Sequence, residues 1–512
     1  MKTRVLPLVL IPFLLFYALP AGAVEKEERK WQDEVIYSLM VDRFNDGDIK
    51  NNKDVDVNDP AAYNGGDFKG ITDKLDYIKD MGFTAISLTP VFDNEDKGYH
   101  GYWIKDYYKT DEHFGTIADF KKLVKEAHKR DLKVITEFAA NQVGPHHPWL
   151  KDPEKKDWFH EEKTISDNKN SGNIETGWIN GLPDLNQENP ETKAYLLDAA
   201  KWWIKETNID GYSLDMVNYV PKAFWADFSK AVNSEKPDFY LLGEVVGDNT
   251  EAIADYKKTG IDGFLDVPLN EDLRTAFKDT DQSMDPLFSD FTRNKDQFEN
   301  PELMGNFIDN HQMTRFTNEA VLLKHHPGTR WKMALSYIYT VPGIPIVYYG
   351  SEIAMNGGKE PENRKLMAFK AEKELIDYIT KLAELRQQLP SLTRGDFKLL
   401  YENGGMAVFK RTYKDETVIV AINNTSKSQT VTLKKGEIEE NQELRGLLTD
   451  DLVRSKEDKY TIILDREKTE IYALADKSGL NVTYMSIMGV VYAAFIAFII
   501  LIFKRARRKK TD

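Results

Sequence analysis

Between about residues 31 and 390, short apolar runs rich in β-branched residues alternate with amphipathic stretches of helical period. The runs lie at 35–44, 84–89, 133–139, 209–217, 239–246, 263–269, 306–310 and 344–349. The intervening segments repeat differently: Ile117, Phe120, Leu123, Val124 and Ala127 share one face of a helix. Eight strands, each followed by helical sequence, predict an α/β architecture, the (β/α)8 barrel. In that fold the chemistry gathers at the C-terminal ends of the strands. The pattern breaks twice. Residues 141–184 are polar and rich in Asn, Gly, His and Trp, which predicts a long insertion after the third strand, folded over the site. After about residue 391 the period becomes that of antiparallel strands, at 398–401, 406–413, 417–423, 429–434 and 460–464, separated by Gly- and Asn-rich turns. The expected division is a barrel over 24–140 and 185–390, an insertion over 141–184, and a β-sandwich over 391–475.

Both ends of the chain read differently from its middle. Residues 1–23 carry Lys2 and Arg4, then an apolar run, then Ala21-Gly22-Ala23, the pattern of a removable secretory signal. Residues 484–503 are almost wholly apolar and long enough to cross a hydrocarbon core of ~30 Å. The tail 504–512 follows with Lys504, Arg505, Arg507, Arg508, Lys509 and Lys510, which predicts a single-pass membrane protein with a cytoplasmic C-terminus and everything before the helix outside. The net charge of −14 argues against a nucleic-acid partner, the basic tail notwithstanding. The chain has no cysteine, so disulfides are excluded.

The strand ends carry ordered motifs: GYHGYW at 98–103, EFAANQ at 137–142, GYSLDMVNY at 211–219, LLGEVV at 241–246 and FIDNHQ at 307–312. Asp215 and Glu244 form a carboxylate pair suited to cleaving a sugar acetal, which needs one nucleophile and one acid/base. The acid must hold its proton, so burial and a neighbouring carboxylate should raise its pKa.

These motifs, in this order, resemble the α-amylase family of retaining glycoside hydrolases over about residues 31–475. Gly-Leu-Pro-Asp-Leu-Asn at 181–186 resembles the family's motif near the end of domain B, and Trp202-Trp203 is similar to a feature of membrane-anchored bacillary α-amylases. The plainer reading of that tryptophan pair is helix-to-barrel packing. The resemblance implies Asp215 as nucleophile, Glu244 as acid/base, and a sugar-binding floor of His100, Tyr102, Trp103 and His311. It also implies sugar contacts at positions 142, 213 and 312, here Gln142, Ser213 and Gln312. Glu360 and Arg364 resemble a remote subsite, with an exposed salt-bridged loop as the alternative.

The same resemblance exposes departures. Ser213 stands where the family has an arginine, Gln312 where it has a third carboxylate, Gln142 where it has a histidine, Glu137 where it has an aspartate, and Asn218-Tyr219 where it has Lys-His. Losing charged groups beside the reacting centre costs up to several kcal/mol of barrier. The expectation is therefore weak hydrolysis of α-1,4-glucans at the cell surface unless other residues compensate; the alternative is an inactive ectodomain that binds glucan or a partner. Calcium is the implied cofactor. Asp46, Asp48, Asn51, Asn52 and Asp67, with the carbonyl of Gly65, resemble one calcium site, for which an acidic turn is the alternative. Asn141, Asp184 and the carbonyl of Tyr219 resemble a second. Both sets are oxygen-rich, as hard cations require.

Overall fold

The computed structural model describes residues 28–477, apart from 166–173, 248–252, 435, 440 and 458, together with 486, 490–493, 497–498 and 500. The expected signal at 1–23, the basic tail and most of 484–503 lie outside the described residues. Those of 484–503 that are described are helical. Among the described residues no helix is long and apolar enough to cross a membrane.

Each of the eight apolar runs contains or overlaps a strand: β1 (Ile36–Leu39), β2 (Ala85–Leu88), β3 (Lys133–Ala139), β4 (Gly211–Asp215), β5 (Tyr240–Gly243), β6 (Gly263–Phe264), β7 (Gly305–Phe307) and β8 (Ile344–Tyr348). They pair in parallel in the order β6-β5-β4-β3-β2-β1-β8-β7. A parallel bridge between Leu265 and Gly305 joins the two edges and closes the barrel. Ile36, Ala85, Ile135, Leu242, Phe307, Ile344 and Ile346 fill its interior.

Several runs end as strands sooner than their hydrophobicity suggests. The run 263–269 turns helical at Val267, because Asp266 caps the Leu269 N–H and Pro268 occupies the first turn, where its missing N–H is harmless. Helix α1 (Ile117–Lys129) begins with a reciprocal Thr116/Asp119 capping box and buries Phe120, Leu123, Val124 and Ala127. Helix α2 (Pro190–Thr207) is capped by Asn189 and closes on left-handed Asn208. Its Trp203 is fully buried, donates its indole N–H to the Tyr107 carbonyl at 2.6 Å, and meets Phe92 and Phe120 edge-on. Trp202 packs half-buried against Tyr108. The tryptophan pair is thus helix-to-barrel packing.

The inserted segment returns on its own base, where Gln142 pairs with Asp184 and Phe159 with Leu185. The C-terminal domain is a sandwich: a six-stranded antiparallel sheet spanning 396–476 faces the two-stranded pair Gln429–Leu433 and Tyr460–Leu464. Three of its strands, Gln442–Gly446, Leu452–Arg454 and Lys468–Asp476, are not predicted by the sequence pattern, because none of them alternates cleanly between apolar and polar residues. Buried Arg411 joins this domain to the barrel, donating to the Thr340 carbonyl at 2.5 Å.

Trp203→Ala removes a buried indole and strands the Tyr107 carbonyl. It should cost about 3–5 kcal/mol, measured as a fall in urea midpoint.

Candidate active site

Asp215 ends β4, and Glu244 follows β5 directly. The neighbouring strand contributes Glu137, which lies opposite Ser213 in the β3–β4 register, as Ala139 lies opposite Asp215. A carboxyl oxygen of each of Glu137, Asp215 and Glu244 lies within 4.8 Å of those of the other two. All three side chains are buried. The Gln142 amide donates to Asp215 Oδ2 at 3.1 Å, while Asp215 Oδ1 is buried without a hydrogen-bond partner. The backbone locks the pair: Val217 N–H donates to the Glu244 carbonyl at 2.7 Å, and Glu244 N–H to the Leu214 carbonyl at 2.8 Å.

Burial raises the pKa of all three acids. The charge of Asp215 raises Glu244 further, and Asp215 and Glu244 together hold Glu137 well above the carboxylate range. At 4.8 Å two unit charges repel by roughly 3 kcal/mol at an effective dielectric of ~20, so the trio resists carrying three charges.

The GYHGYW turn brings aromatic groups over these acids. Gly101 has φ +92°, and a Cβ there would lie 2.4 Å from the Pro90 carbonyl, so only glycine makes this turn. The Tyr102 hydroxyl donates to Glu137 Oε1 at 2.6 Å and meets His311 Nε2 at 2.7 Å; the two rings stack at 5.4 Å. His100 Nδ1 accepts from the Tyr102 N–H at 3.0 Å, and Trp103 stands edge-on to His100. Burial and the Arg364 charge lower His100 to about 3 and push His311 well below its usual value, so both imidazoles are neutral.

Arg364 does not form a remote subsite. It is 4% exposed, and its guanidinium donates to the His311 carbonyl at 2.9 Å and to the Tyr99 hydroxyl at 3.1 Å, and pairs with Glu360. It braces the floor from beneath. Gln312 is exposed, its N–H tied back to Asn310 Oδ1.

The α-amylase catalytic domain matches residues 38–386, and the α-amylase C-terminal domain matches residues 395–472. The chain belongs to the α-amylase family. It is an amylase-type glycosidase. An Anoxybacillus α-amylase structure is 60% identical with a TM-score of 0.87, covering 88% of this chain and 100% of that one. The α-amylase of Geobacillus thermoleovorans, solved in complex with acarbose, is 58% identical with a TM-score of 0.85 and the same coverage. The Beta/alpha-amylase of Paenibacillus polymyxa is 35% identical over 462 residues, 86% of this chain. The chain spans only 38% of that relative's length.

For an α-amylase family member, the departures now have positions. Asn218, in place of a family lysine, makes reciprocal bonds with the backbone of Val246, at 3.0 Å to its carbonyl and 2.9 Å from its N–H, linking the loops that carry Asp215 and Glu244. The sequence marks Glu137 only as a replacement for aspartate and does not reveal its convergence on Asp215 and Glu244. The available signal is its place on the third strand, two residues in chain register from the position facing the nucleophile.

The two oxygen-rich sets also differ in how their atoms are used. Around Asp46, the side-chain oxygens Asn51 Oδ1 and Asn52 Oδ1 are buried without partners, and a Cβ on Gly65 would lie 3.3 Å from Asn52 Oδ1 and Asp46 Oδ2. Such orphaned oxygens fit a cation. Asp67 fits less well as a ligand: its carboxylate already accepts the N–H groups of Gly47, Asp48 and Gly70. In the second set, one terminal atom of the Asn141 amide lies 2.9 Å from both Asp184 Oδ1 and the Tyr219 carbonyl. With oxygen there, three oxygens converge as a cation requires; with nitrogen there, the amide satisfies both without an ion.

The raised pKa of Glu244 has a stability consequence. The fold favours its protonated form, so its contribution is fully present below the ordinary carboxylate range and is lost as pH rises through the raised value. Glu244→Gln should match the wild-type melting temperature near about pH 4 and exceed it near about pH 8. Between the ordinary and the raised value the advantage should grow by about 1.4 kcal/mol per pH step of one. Thermal denaturation across pH measures this; a pH-independent offset contradicts it.

Proposed function

We propose that the protein is a retaining α-1,4-glucan hydrolase. The convergence of Asp215 and Glu244 within 4.8 Å carries this reading. That spacing suits direct attack by a carboxylate and leaves no room for the intervening water of an inverting enzyme. In the first step Asp215 attacks the anomeric carbon, the glycosidic C–O bond breaks, and Glu244 gives its proton to the departing oxygen. In the second, Glu244 takes a proton from water, the water oxygen bonds to the anomeric carbon, and Asp215 is released with the configuration retained. The raised pKa of Glu244 supports its role as the acid. Gln142, through its N–H, holds Asp215 in line.

Calcium, when bound, would serve this fold as a structural ion. Asp46, Asp48, Asn51 and Asn52 with the Gly65 carbonyl would hold one ion, and Asn141, Asp184 and the Tyr219 carbonyl another. The apolar stretch 484–503 and its basic flank support a cell-surface location with the catalytic domain outside.

Purified full-length protein should release reducing sugar from soluble starch, and Glu244→Gln should lower the rate by at least about a thousandfold, the scale of losing an essential acid and its charge stabilisation. Equal release by the variant removes the assignment, and no release by the wild type favours the binding ectodomain. A chelator should lower the melting temperature and added calcium restore it, since an ion at a hundred times its Kd stabilises by about 2.7 kcal/mol. An unmoved transition removes the structural ion.

A further inference from the structure

Ser213 brings no guanidinium to the nucleophile's side, and Asp215 has a buried oxygen, Oδ1, that nothing satisfies. A buried carboxylate with no counter-charge and with one of its two oxygens lacking a donor is costly, and the nucleophile must be the ionised member of the pair. The neighbour across the β3–β4 ladder from Ser213 is Glu137. Its carboxyl lies within 4.8 Å of Asp215 and of Glu244. Rotation about the glutamate's terminal torsion, which is soft, or one bridging water closes that gap.

We propose that Glu137 is a positioning residue that stays uncharged and donates a hydrogen bond to Asp215, taking over from within the barrel the support an arginine at position 213 would give. This deepens the glycosidase reading and rests on it. The groups facing Glu137 agree. From β4 comes Asp215 and from the end of β5 Glu244, each opposing a further negative charge. From the GYHGYW turn comes the Tyr102 phenol, which donates to Glu137 Oε1 and leaves Oε2 for the proton. Behind Tyr102 stands His311, neutral, with Arg364 committed to the His311 carbonyl. A neutral acid gives the nucleophile a donor without adding charge. It also gives the glutamate a use: with Ser213 opposite it, the side chain has to extend toward the carboxylate itself. Gln312 cannot fill this role, since it lies exposed.

The test combines kinetics with a readout that needs no turnover. On starch, Glu137→Leu should reduce kcat at least tenfold with KM within about twofold, and the conservative Glu137→Gln, whose amide still donates, should recover most of that loss without moving the acidic limb of the pH profile. Ser213→Arg added to Glu137→Leu should also recover activity. Infrared spectra at neutral pH should contain a protonated-carboxyl band that is lost in Glu137→Gln and in Ser213→Arg, whose guanidinium would ionise Glu137. An acidic limb that moves down by a full pH step or more in Glu137→Gln, a Glu137→Leu enzyme with wild-type kcat, or the absence of the Glu137 band overturns the proposal. Because the band is read without substrate, a wild type that fails to cleave starch sinks the glycosidase reading while the protonation of Glu137 is still decided.

Discussion

Three carboxyl groups meet at the mouth of this barrel in a space that does not accommodate three negative charges. All three are buried, the residue beside the nucleophile on its strand is a serine rather than an arginine, and the imidazole of His311 is neutral. The surroundings therefore distribute protons rather than counter-ions. Gln142 supports Asp215, Tyr102 supports Glu137, and Glu244 is left with the least help in ionising, which is the state a general acid needs. The division of labour between two chemically similar side chains follows from which donors reach them.

That distribution is enforced by backbone geometry more than by side-chain choice. Parallel register sets Glu137 against Ser213 and Ala139 against Asp215, while hydrogen bonds between the loops after β4 and β5 keep Asp215 and Glu244 from drifting apart. The aromatic floor is fixed from below through Arg364, Asn363 and Tyr99. Asn363 Nδ2 and Arg364 Nε both donate to the same His311 carbonyl at 2.9 Å. A charged residue buried there orients a neutral one above it, and its own charge helps keep that imidazole unprotonated.

Much of the fold was legible in the chain because β-branched runs and helical periodicity are local signals. The eight strands were placed within a few residues; the misplaced ends, such as 263–269, came from a cap and a proline that override a hydrophobic run. In the C-terminal domain, Gln442–Gly446, Leu452–Arg454 and Lys468–Asp476 have weak alternation and become strands through their neighbours. The site divides the same way. Asp215 and Glu244 sit in recognisable motifs. Arg364, read as a sugar contact, is a brace, because its partners Tyr99 and His311 are distant in sequence and only the closed barrel brings them together. Glu137 was visible as a substitution, but its meaning depends on a cross-strand neighbour that no stretch of sequence displays.

The base of the insertion has a mechanical implication. Its strand-ends pair Gln142 with Asp184, and Gln142 is also the residue that grips the nucleophile. A flap swinging on that hinge would carry the grip away with it. The base of the insertion is thereby part of the support of Asp215.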